Sequence, residues 1–268
     1  IVIFCPNPYS LYTSVILHLC ISLNIQVVGV VVRKFTFSRM VFELQRDGLT
    51  RLAKKIVRKL ILRTDENSDR SAVSLKILHD GIVGAQPNVI KTCKQHEIQI
   101  LEVDDFEDSK EWLAKQELDA ALFTGGGMIS KSILEQFRIG VLNVHMGILP
   151  KYKGMYTSVW PILNGEKCCG VTLHEIDSGV DTGDIIDQIQ VEINLSDTSR
   201  SLYLKKMEAG IKLFKRNAQG LIKREYIATA QSYKDSTYYS KKSIDFNNIS
   251  IDLNKTSFEI HNQLRAYI

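Results

Sequence analysis

Uninterrupted apolar runs are the feature that most constrains the fold of this 268-residue chain. The runs are short, rich in β-branched and large aliphatic side chains, and mostly without the alternation of a half-exposed strand. They predict strands that are buried on both faces, as in a parallel sheet that helices cover on both sides. The runs are IVIFC at 1–5, QVVGVVV at 26–32, IQILEV at 98–103, DAALFT at 119–124 and GVLNVH at 140–145.

The stretches after these runs predict a division of the chain. A long helix is expected from about 198 to about 222. Beyond it, residues 233–253 are polar and strand-like, and 256–268 predict a final helix. We therefore expect a mostly parallel α/β core at 1–195, followed at 196–268 by the long helix and a small β-containing subdomain.

Composition narrows the classes of function. The net charge of +4 fits an anionic ligand but is too small to predict a nucleic acid partner. No apolar run reaches the roughly 18 residues of a membrane span, and no signal peptide is recognised because the chain opens on a strand pattern. The five cysteines are odd in number and show no metal-ligand spacing. They favour reduced thiols, a cytoplasmic location and no metal site.

One basic segment has two interpretations. Between Leu49 and Arg63, apolar residues recur at helical spacing with basic residues between them. An amphipathic surface helix is favoured, and a face that binds a polyanion or a membrane is the alternative.

The segment NVHMGILPKYKG, at 143–154, indicates chemistry. Asn143 and His145 are two apart on a predicted strand, so their side chains share a face at the carboxyl end, where open α/β sheets bind ligands. Asp181 lies in the later loop DSGVDTGD, either as a third group of the site or as a turn residue. An amide, an imidazole and a carboxylate together suit acyl transfer without a nucleophilic serine or cysteine.

Three contiguous glycines, at 125–127, follow the strand at 119–124. Glycine at such a position lets a ligand approach the backbone closely. The spacing differs from the G-x-G-x-x-G fingerprint, and no such fingerprint follows the first strand, which argues against a nicotinamide enzyme.

The segments NVHMGILPKYKG and GVTLHEIDSGVDTGDII together resemble the 10-formyltetrahydrofolate-dependent formyltransferases. The family includes enzymes that formylate glycinamide ribonucleotide, methionyl-tRNA and nucleotide-linked amino sugars. Its pattern is N-x-H before an L-P turn, then a G-V-T-x-H strand and a D-x-G loop. The match is close over about 119–193, and it implies a Rossmann-like formyltransferase fold.

The resemblance implies a role for each matching residue. Asn143 would bind the formyl oxygen, His145 would polarise the formyl group or carry the amine proton, and Asp181 would orient the site and accept a proton. For His174, a role in the site and a structural role both stay open. The residues implied for folate binding are Gly125, Gly126, Gly127, Met128, Ile129, Asp177, Gly179 and Val180.

The formyl acceptor is inferred from the chain's ending and from the ILPKYKG turn. The short tail resembles that of nucleotide-sugar N-formyltransferases, which favours a nucleotide-linked amino sugar and a place in lipopolysaccharide biosynthesis. Methionyl-tRNA is the alternative, with the basic segment contacting RNA; a non-catalytic folate-binding protein is a third. The residues expected near the acceptor are Lys151, Tyr152, Lys153, Gly154 and Trp160, with core packing as the other interpretation of Trp160.

The C-terminal segment 233–268 also predicts assembly. It is rich in tyrosine and strand-like residues but is too small to bury itself well. A short sheet of this kind completes its core against a second copy, so we expect a homodimer.

Overall fold

The computed structural model describes residues 1–34, 88–125, 127–246 and 248–267. The predicted basic helix between Leu49 and Arg63, and Gly126, lie outside these ranges. The chain forms two compact units, Ile1–Gly140 and Val141–Ile268. The functional division expected at residue 195 stays a prediction.

The first unit contains a parallel four-stranded sheet, as the apolar runs predict. Strand β1 (Val2–Cys5) pairs with β2 (Gly29–Arg33) on one side and with β4 (Ala120–Phe123) on the other. Strand β3 (Gln99–Val103) pairs with the outer side of β2. Only Val103 of this strand is buried, so the prediction of burial on both faces was wrong for the run at 98–103, which forms an edge strand. All four residues of β1 are fully buried, which is the state predicted for a central strand covered on both faces.

Helices follow the strands of this unit. In α1 (Leu11–Ser22), the hydroxyl of Ser10 accepts a hydrogen bond from the backbone N–H of Thr13, which caps the helix. The other helices among the described residues of this unit are α2 (Val89–Gln95), α3 (Lys110–Leu113) and α4 (Lys131–Leu134). The sequence of residues 108–117, between the runs at 98–103 and 119–124, predicts a connecting helix. The structure has a shorter helix there, α3, which follows a 3₁₀ turn.

The second unit contains antiparallel strands. Strand β5 (Gly140–His145), which starts at the unit boundary, pairs with β7 (Cys168–Glu175), and β7 pairs with β8 (Ile185–Glu192). A separate two-stranded sheet joins β6 (Lys153–Gly154) to β9 (Tyr238–Tyr239). With the parallel strands of the first unit, these elements confirm the α/β fold class with a mostly parallel sheet.

The described residues of the second unit also form three helices, α5 (Trp160–Leu163), α6 (Ser199–Lys223) and α7 (Ser257–Tyr267). The predicted long helix is confirmed as α6, whose N-terminus is capped by Thr198. The sequence YTSVWPILNG, at 156–165, predicts a short helix that is interrupted near Pro161, and the predicted interruption was wrong. Pro161 lies in the first turn of α5, where its missing N–H would have no intrahelical partner.

The strand-like segment 233–253 is mostly irregular. Its described residues form only β9, which pairs with β6, and a 3₁₀ turn, Lys241–Ser243. A small β-containing C-terminal part is therefore present, and it is smaller than the pattern predicts. Within the described ranges, no helix is long and apolar enough to cross a membrane.

The core of the second unit is built where α5, β7, α6 and α7 meet. One cluster joins Val159, Ile162, Cys169, Ile193, Leu202 and Ala266. It connects the segment after the NVHMGILPKYKG motif to the long helix, so the packing of α6 supports the motif.

The Leu202→Ala variant tests this packing. Leu202 is fully buried, and its truncation should lower the free energy of unfolding by about 2–5 kcal/mol. The matched control is Leu195→Ala, because Leu195 is 65% exposed and should change stability by no more than about 0.5 kcal/mol. Chemical denaturation measures both, and equal effects would contradict the assigned core.

Candidate active site

Two antiparallel strands position the first pair of polar side chains. Asn143 on β5 lies directly opposite His174 on β7. The register of the β7–β8 ladder shifts between Leu173 and His174, which locally disrupts the regular pairing there. The His174 ring is fully buried.

A hydrogen-bond chain fixes the orientation of the Asn143 amide. The Nδ1 atom of His174 lies 2.6 Å from the carbonyl oxygen of Glu175, so Nδ1 carries the proton and donates it. The Nε2 atom of the neutral ring is then an acceptor, and Asn143 Nδ2 donates to it across 3.3 Å. An amide nitrogen has two hydrogens, so a second N–H of Asn143 remains for another acceptor. His174 thus acts as the partner that orients Asn143.

Burial keeps His174 neutral. Desolvation, followed by the neighbouring His145, lowers the pKa of His174 to about 4, while Asp181 opposes the shift. A neutral ring is what the chain from Glu175 to Asn143 requires, since an imidazolium would have no acceptor at Nε2.

His145, at the end of β5, bonds to the loop that follows it. Its Nε2 lies 2.8 Å from the carbonyl oxygen of Tyr152, so Nε2 carries the proton. Its Nδ1 lies 3.4 Å from Oδ2 of Asp181. In the neutral ring, Nδ1 has a lone pair facing a carboxylate, and a proton gained at Nδ1 would be stabilised at once by Asp181.

Asp181 is held by backbone and side-chain contacts. Its Oδ2 accepts a hydrogen bond of 2.7 Å from the backbone N–H of Gly154. Its own backbone is in the left-handed region, with φ +52°, and the Gln231 amide donates to the carbonyl oxygens of Asp181 and Gly183. Backbone groups of the segment that follows β5 therefore hold both side chains. The Tyr152 carbonyl holds His145, and the Gly154 N–H holds Asp181.

Opposing effects determine the pKa of His145. Burial is the largest and lowers the pKa of His145 below its ordinary value; the Lys206 ammonium also lowers it. Asp181 and the Tyr152 carbonyl raise it. Because the net shift is downward, the imidazole is neutral at neutral pH and can take up a proton at Nδ1.

The segment 146–157, which we call the motif loop, is anchored by residues that the sequence did not single out. The Thr172 hydroxyl donates to the carbonyl oxygen of Gly147 and accepts from the backbone N–H of Leu149. The Gln188 amide donates to the carbonyl oxygen of Leu149. Strands β7 and β8 therefore fix the first half of this loop.

Gly147 allows His145 to reach the loop. A Cβ atom at this position would lie 2.6 Å from His145 Nε2 and 2.8 Å from the Tyr152 carbonyl oxygen. The glycine is visible in the motif, but its packing against the imidazole follows only from the folded loop.

The aromatic residues expected near an acceptor form a stack. The rings of Tyr152 and Tyr239 are parallel within 14°, and those of Trp160 and Tyr239 are 4.2 Å apart. The Tyr152 side chain is buried, and its hydroxyl donates to Glu166. Tyr152 thus has a packing role, and its contact with an acceptor stays a prediction.

The other predicted acceptor residues differ in exposure. Lys151 is exposed, whereas Lys153 is only 5% exposed. Gly154 has φ +85°, and a Cβ there would overlap the carbonyl oxygen of Tyr239 in β9. Gly154 is therefore needed both for the β6–β9 pairing and for the bond to Asp181.

The residues predicted for folate lie in two places along the chain. In the first unit, Gly125 and Gly127 have positive φ after β4, Met128 is 81% exposed and Ile129 is buried. In the second unit, the exposed Asp177, Gly179 and Val180 form the turn before Asp181. Asp177 accepts there from the Gly179 N–H and the Thr182 hydroxyl. Their contacts with folate stay predictions.

The Gly147→Ala variant tests the fit of His145 against the motif loop. The added methyl group should displace the imidazole from the Tyr152 carbonyl and lower kcat about a hundredfold, the size expected for a misplacement of about 1 Å. Gly210→Ala is the control, since its Cβ would meet side-chain methyl groups, of Met146 and Val144, each at 3.2 Å. Steady-state kinetics and circular dichroism compare the two, and a normal kcat in Gly147→Ala would contradict the assigned geometry.

Comparisons with known proteins identify the family of this chain. A model of the formyl transferase family matches residues 88–217. An N-formyltransferase from Helicobacter canadensis, crystallised with folinic acid and dTDP-3-aminofucose, is 30% identical. Its structural alignment covers 100% of this chain and 80% of that one, with a TM-score of 0.69. WlaRD, a sugar 3N-formyl transferase crystallised with dTDP and 5-N-formyl-THF, is 28% identical with a TM-score of 0.66. That alignment covers 100% of this chain and 78% of that one.

Curated relatives include methionyl-tRNA formyltransferases. The one from Clostridium beijerinckii is 33% identical over 176 residues, which are 64% of this chain and 56% of that protein. The chain spans about half the length of the curated relatives it matches. Since the chain is 30% identical to the Helicobacter canadensis protein and covers 80% of it, it belongs to the 10-formyltetrahydrofolate-dependent formyltransferase family, as its motifs predict.

Proposed function

We propose that this protein transfers the formyl group of 10-formyltetrahydrofolate to the amino group of a nucleotide-linked amino sugar. The observation that carries the transfer chemistry is the pair of the buried His145 and the half-buried Asp181, with Nδ1 of a neutral imidazole 3.4 Å from the carboxylate. Asn143 lies two residues before His145 on the same strand, with its amide oriented by His174.

The reaction needs groups of this kind. When the amine nitrogen attacks the formyl carbon, the formyl oxygen gains negative charge and the nitrogen gains positive charge. The second N–H of Asn143 donates to the oxygen. His145 Nδ1 accepts the amine proton, and Asp181 stabilises the imidazolium. The bond between the formyl carbon and N10 of the donor then breaks, and the proton passes from His145 to the departing nitrogen.

Two comparisons favour an amino sugar as the acceptor. The Helicobacter canadensis protein was crystallised with dTDP-3-aminofucose, and WlaRD is a sugar 3N-formyl transferase. Both structural alignments cover this whole chain, whereas the match to the Clostridium beijerinckii tRNA enzyme covers 64% of it. Methionyl-tRNA is the second candidate, favoured by the 33% identity to that enzyme.

The acceptor's diphosphate is assigned to the lysines of the motif loop. Lys151 is the better placed of the two for a ligand from solution, because it is exposed while Lys153 is mostly covered. The ammonium attracts the diphosphate as a point charge. A homodimer and a cytoplasmic location remain predictions.

The acceptor is identified by direct assay. The purified protein, supplied with 10-formyltetrahydrofolate, should add one formyl group to members of a panel of nucleotide-linked amino sugars that includes dTDP-3-aminofucose. Mass spectrometry reads the mass shift, and initiator methionyl-tRNA is tested in parallel. Formylation of the tRNA with no reaction across the sugar panel would overturn the proposed acceptor and support the second candidate.

The Asp181→Asn variant tests the proton transfer. It keeps an oxygen for the Gly154 N–H but removes the charge that stabilises the imidazolium, so kcat should fall at least about a hundredfold. The dissociation constant for folinic acid should change by less than about threefold, as measured by calorimetry. Asp184→Asn, a change of the same charge in the same loop, should keep normal turnover. Near-normal kcat in Asp181→Asn would remove the carboxylate from the mechanism.

A further inference from the structure

A fully buried lysine lies in the long helix beside the site. Lys205 and Lys206 are neighbours in α6, yet their environments are opposite. Lys205 is partly exposed and forms an ion pair with Asp197, 2.6 Å away. Lys206 has no exposed surface, and within the described ranges it is paired with no carboxylate. A buried ammonium without a counter-ion is costly, so its hydrogen bonds must compensate.

Those hydrogen bonds all go to the ends of the motif loop. The Nζ atom of Lys206 donates to the carbonyl oxygen of Met146 at 2.7 Å, to the carbonyl oxygen of Thr157 at 2.7 Å and to the Thr157 hydroxyl at 3.1 Å. An ammonium has three hydrogens, and each one finds an acceptor. One side chain therefore joins the residue that follows His145 to the residue that ends the loop.

The middle of the same loop sets the proposed catalytic pair. Its Tyr152 carbonyl accepts from His145, and its Gly154 N–H donates to Asp181. Lys206 thus joins the first and last residues of the segment whose conformation orients the Tyr152 carbonyl and the Gly154 N–H. A shift of either end would move the imidazole and the carboxylate relative to each other.

We propose that Lys206 is a positioning residue for formyl transfer, which closes the motif loop so that Tyr152 and Gly154 hold His145 and Asp181 in register. This proposal rests on the assignment of His145 and Asp181 as the reacting pair. Lys206 acts through the loop and touches neither the formyl donor nor the acceptor.

The charge of Lys206 gives the proposal a second, electrostatic consequence. The charged and titratable groups that act on His145 are Asp181 and Lys206, with the buried His174 ring 6.3 Å away. Lys206 itself faces the Cys169 thiol on β7, and burial lowers the pKa of Lys206 to about 7. Below that pH Lys206 is charged and opposes a proton on His145. Its removal should therefore raise the pKa of His145 and move the acid limb of activity to higher pH.

The Lys206→Met variant tests both consequences, with dTDP-3-aminofucose and 10-formyltetrahydrofolate as the substrates. Methionine keeps the length and apolar stem but has no donor and no charge. We expect kcat to fall about ten- to a hundredfold, KM for both substrates to stay within about threefold, and the acid limb of the kcat profile to move to higher pH. The control is Lys212→Met, because Lys212 is exposed on the same helix. This variant should have the kcat, the KM values and the acid limb of the parent protein.

Two outcomes would overturn the proposal. One is a Lys206→Met protein that is merely less stable, with normal kcat and an unmoved acid limb. If Lys206→Met does not fold, the Thr157→Val variant provides the second test of the positioning role. This variant removes one acceptor of Lys206 while keeping the shape of the side chain. It should lower kcat by about two- to fivefold without moving the acid limb, and an unchanged kcat would reject the role of Lys206.

If the proposed function itself is wrong, the activities of the variants differ from those expected if only the role of Lys206 is wrong. If Asp181→Asn remained active, the reacting pair would be wrong whatever Lys206→Met does. If Asp181→Asn is inactive while Lys206→Met has normal kcat and pH dependence, only the positioning role is lost. If dTDP-3-aminofucose is not formylated, Asp181→Asn, Lys206→Met, Lys212→Met and Thr157→Val are compared on the acceptor that gives the highest rate in the panel.

Discussion

The hydrogen bond from His145 to the Tyr152 carbonyl is the interaction on which the rest of the site depends. It turns the loop back over the end of β5 and decides which ring nitrogen carries the proton. Because Nε2 is occupied, Nδ1 is left as the basic atom beside Asp181. Gly147 makes the contact sterically feasible, and the neighbouring Gly154 N–H holds the carboxylate in place. The chemistry is thus set by backbone groups of one loop.

Burial and charge give the two histidines different tasks. Both lose basicity because their rings are desolvated, but only His145 has a carboxylate at 3.4 Å to stabilise a gained proton. His174 is 3.9 Å from Asp181 and uses both nitrogens in the chain to Asn143. The His174 ring therefore remains a fixed acceptor, while the His145 ring can change its protonation during a reaction.

The sequence predicted what depends on local pattern. Apolar runs predicted the strands, although β3 is less buried than its run suggested. The spacing of Asn143 and His145 on one strand predicted that they share a face. The loop sequence left Asp181 open between a site group and a turn residue, and the resemblance favoured the site group. The pairing of Asn143 with His174 depends on the register of two antiparallel strands, which no local pattern fixes. The role of Lys206 could not be predicted from the sequence either, because Lys206 is one of two adjacent lysines on a helix.

The elements that were predicted less well are those whose form depends on packing elsewhere. The segment 233–253 has the composition of strands, but only β9 finds a partner among the described residues, in the motif loop. Its contacts are nevertheless useful to the site. The Thr237 hydroxyl and carbonyl accept from the backbone N–H groups of Tyr152 and Lys153, which supports the loop from the C-terminal side.

The central claim is that His145 is a neutral imidazole at neutral pH, with its proton on Nε2 and its lone pair on Nδ1 beside Asp181. Nitrogen-15 NMR of the histidine-labelled protein, with the signal assigned by its loss in His145→Gln, measures the protonation of each ring nitrogen directly. The account predicts a protonated Nε2, an unprotonated Nδ1 and a pKa below the ordinary value of about 6.5. An imidazolium that persists at pH 8, or a neutral ring with its proton on Nδ1, would contradict it.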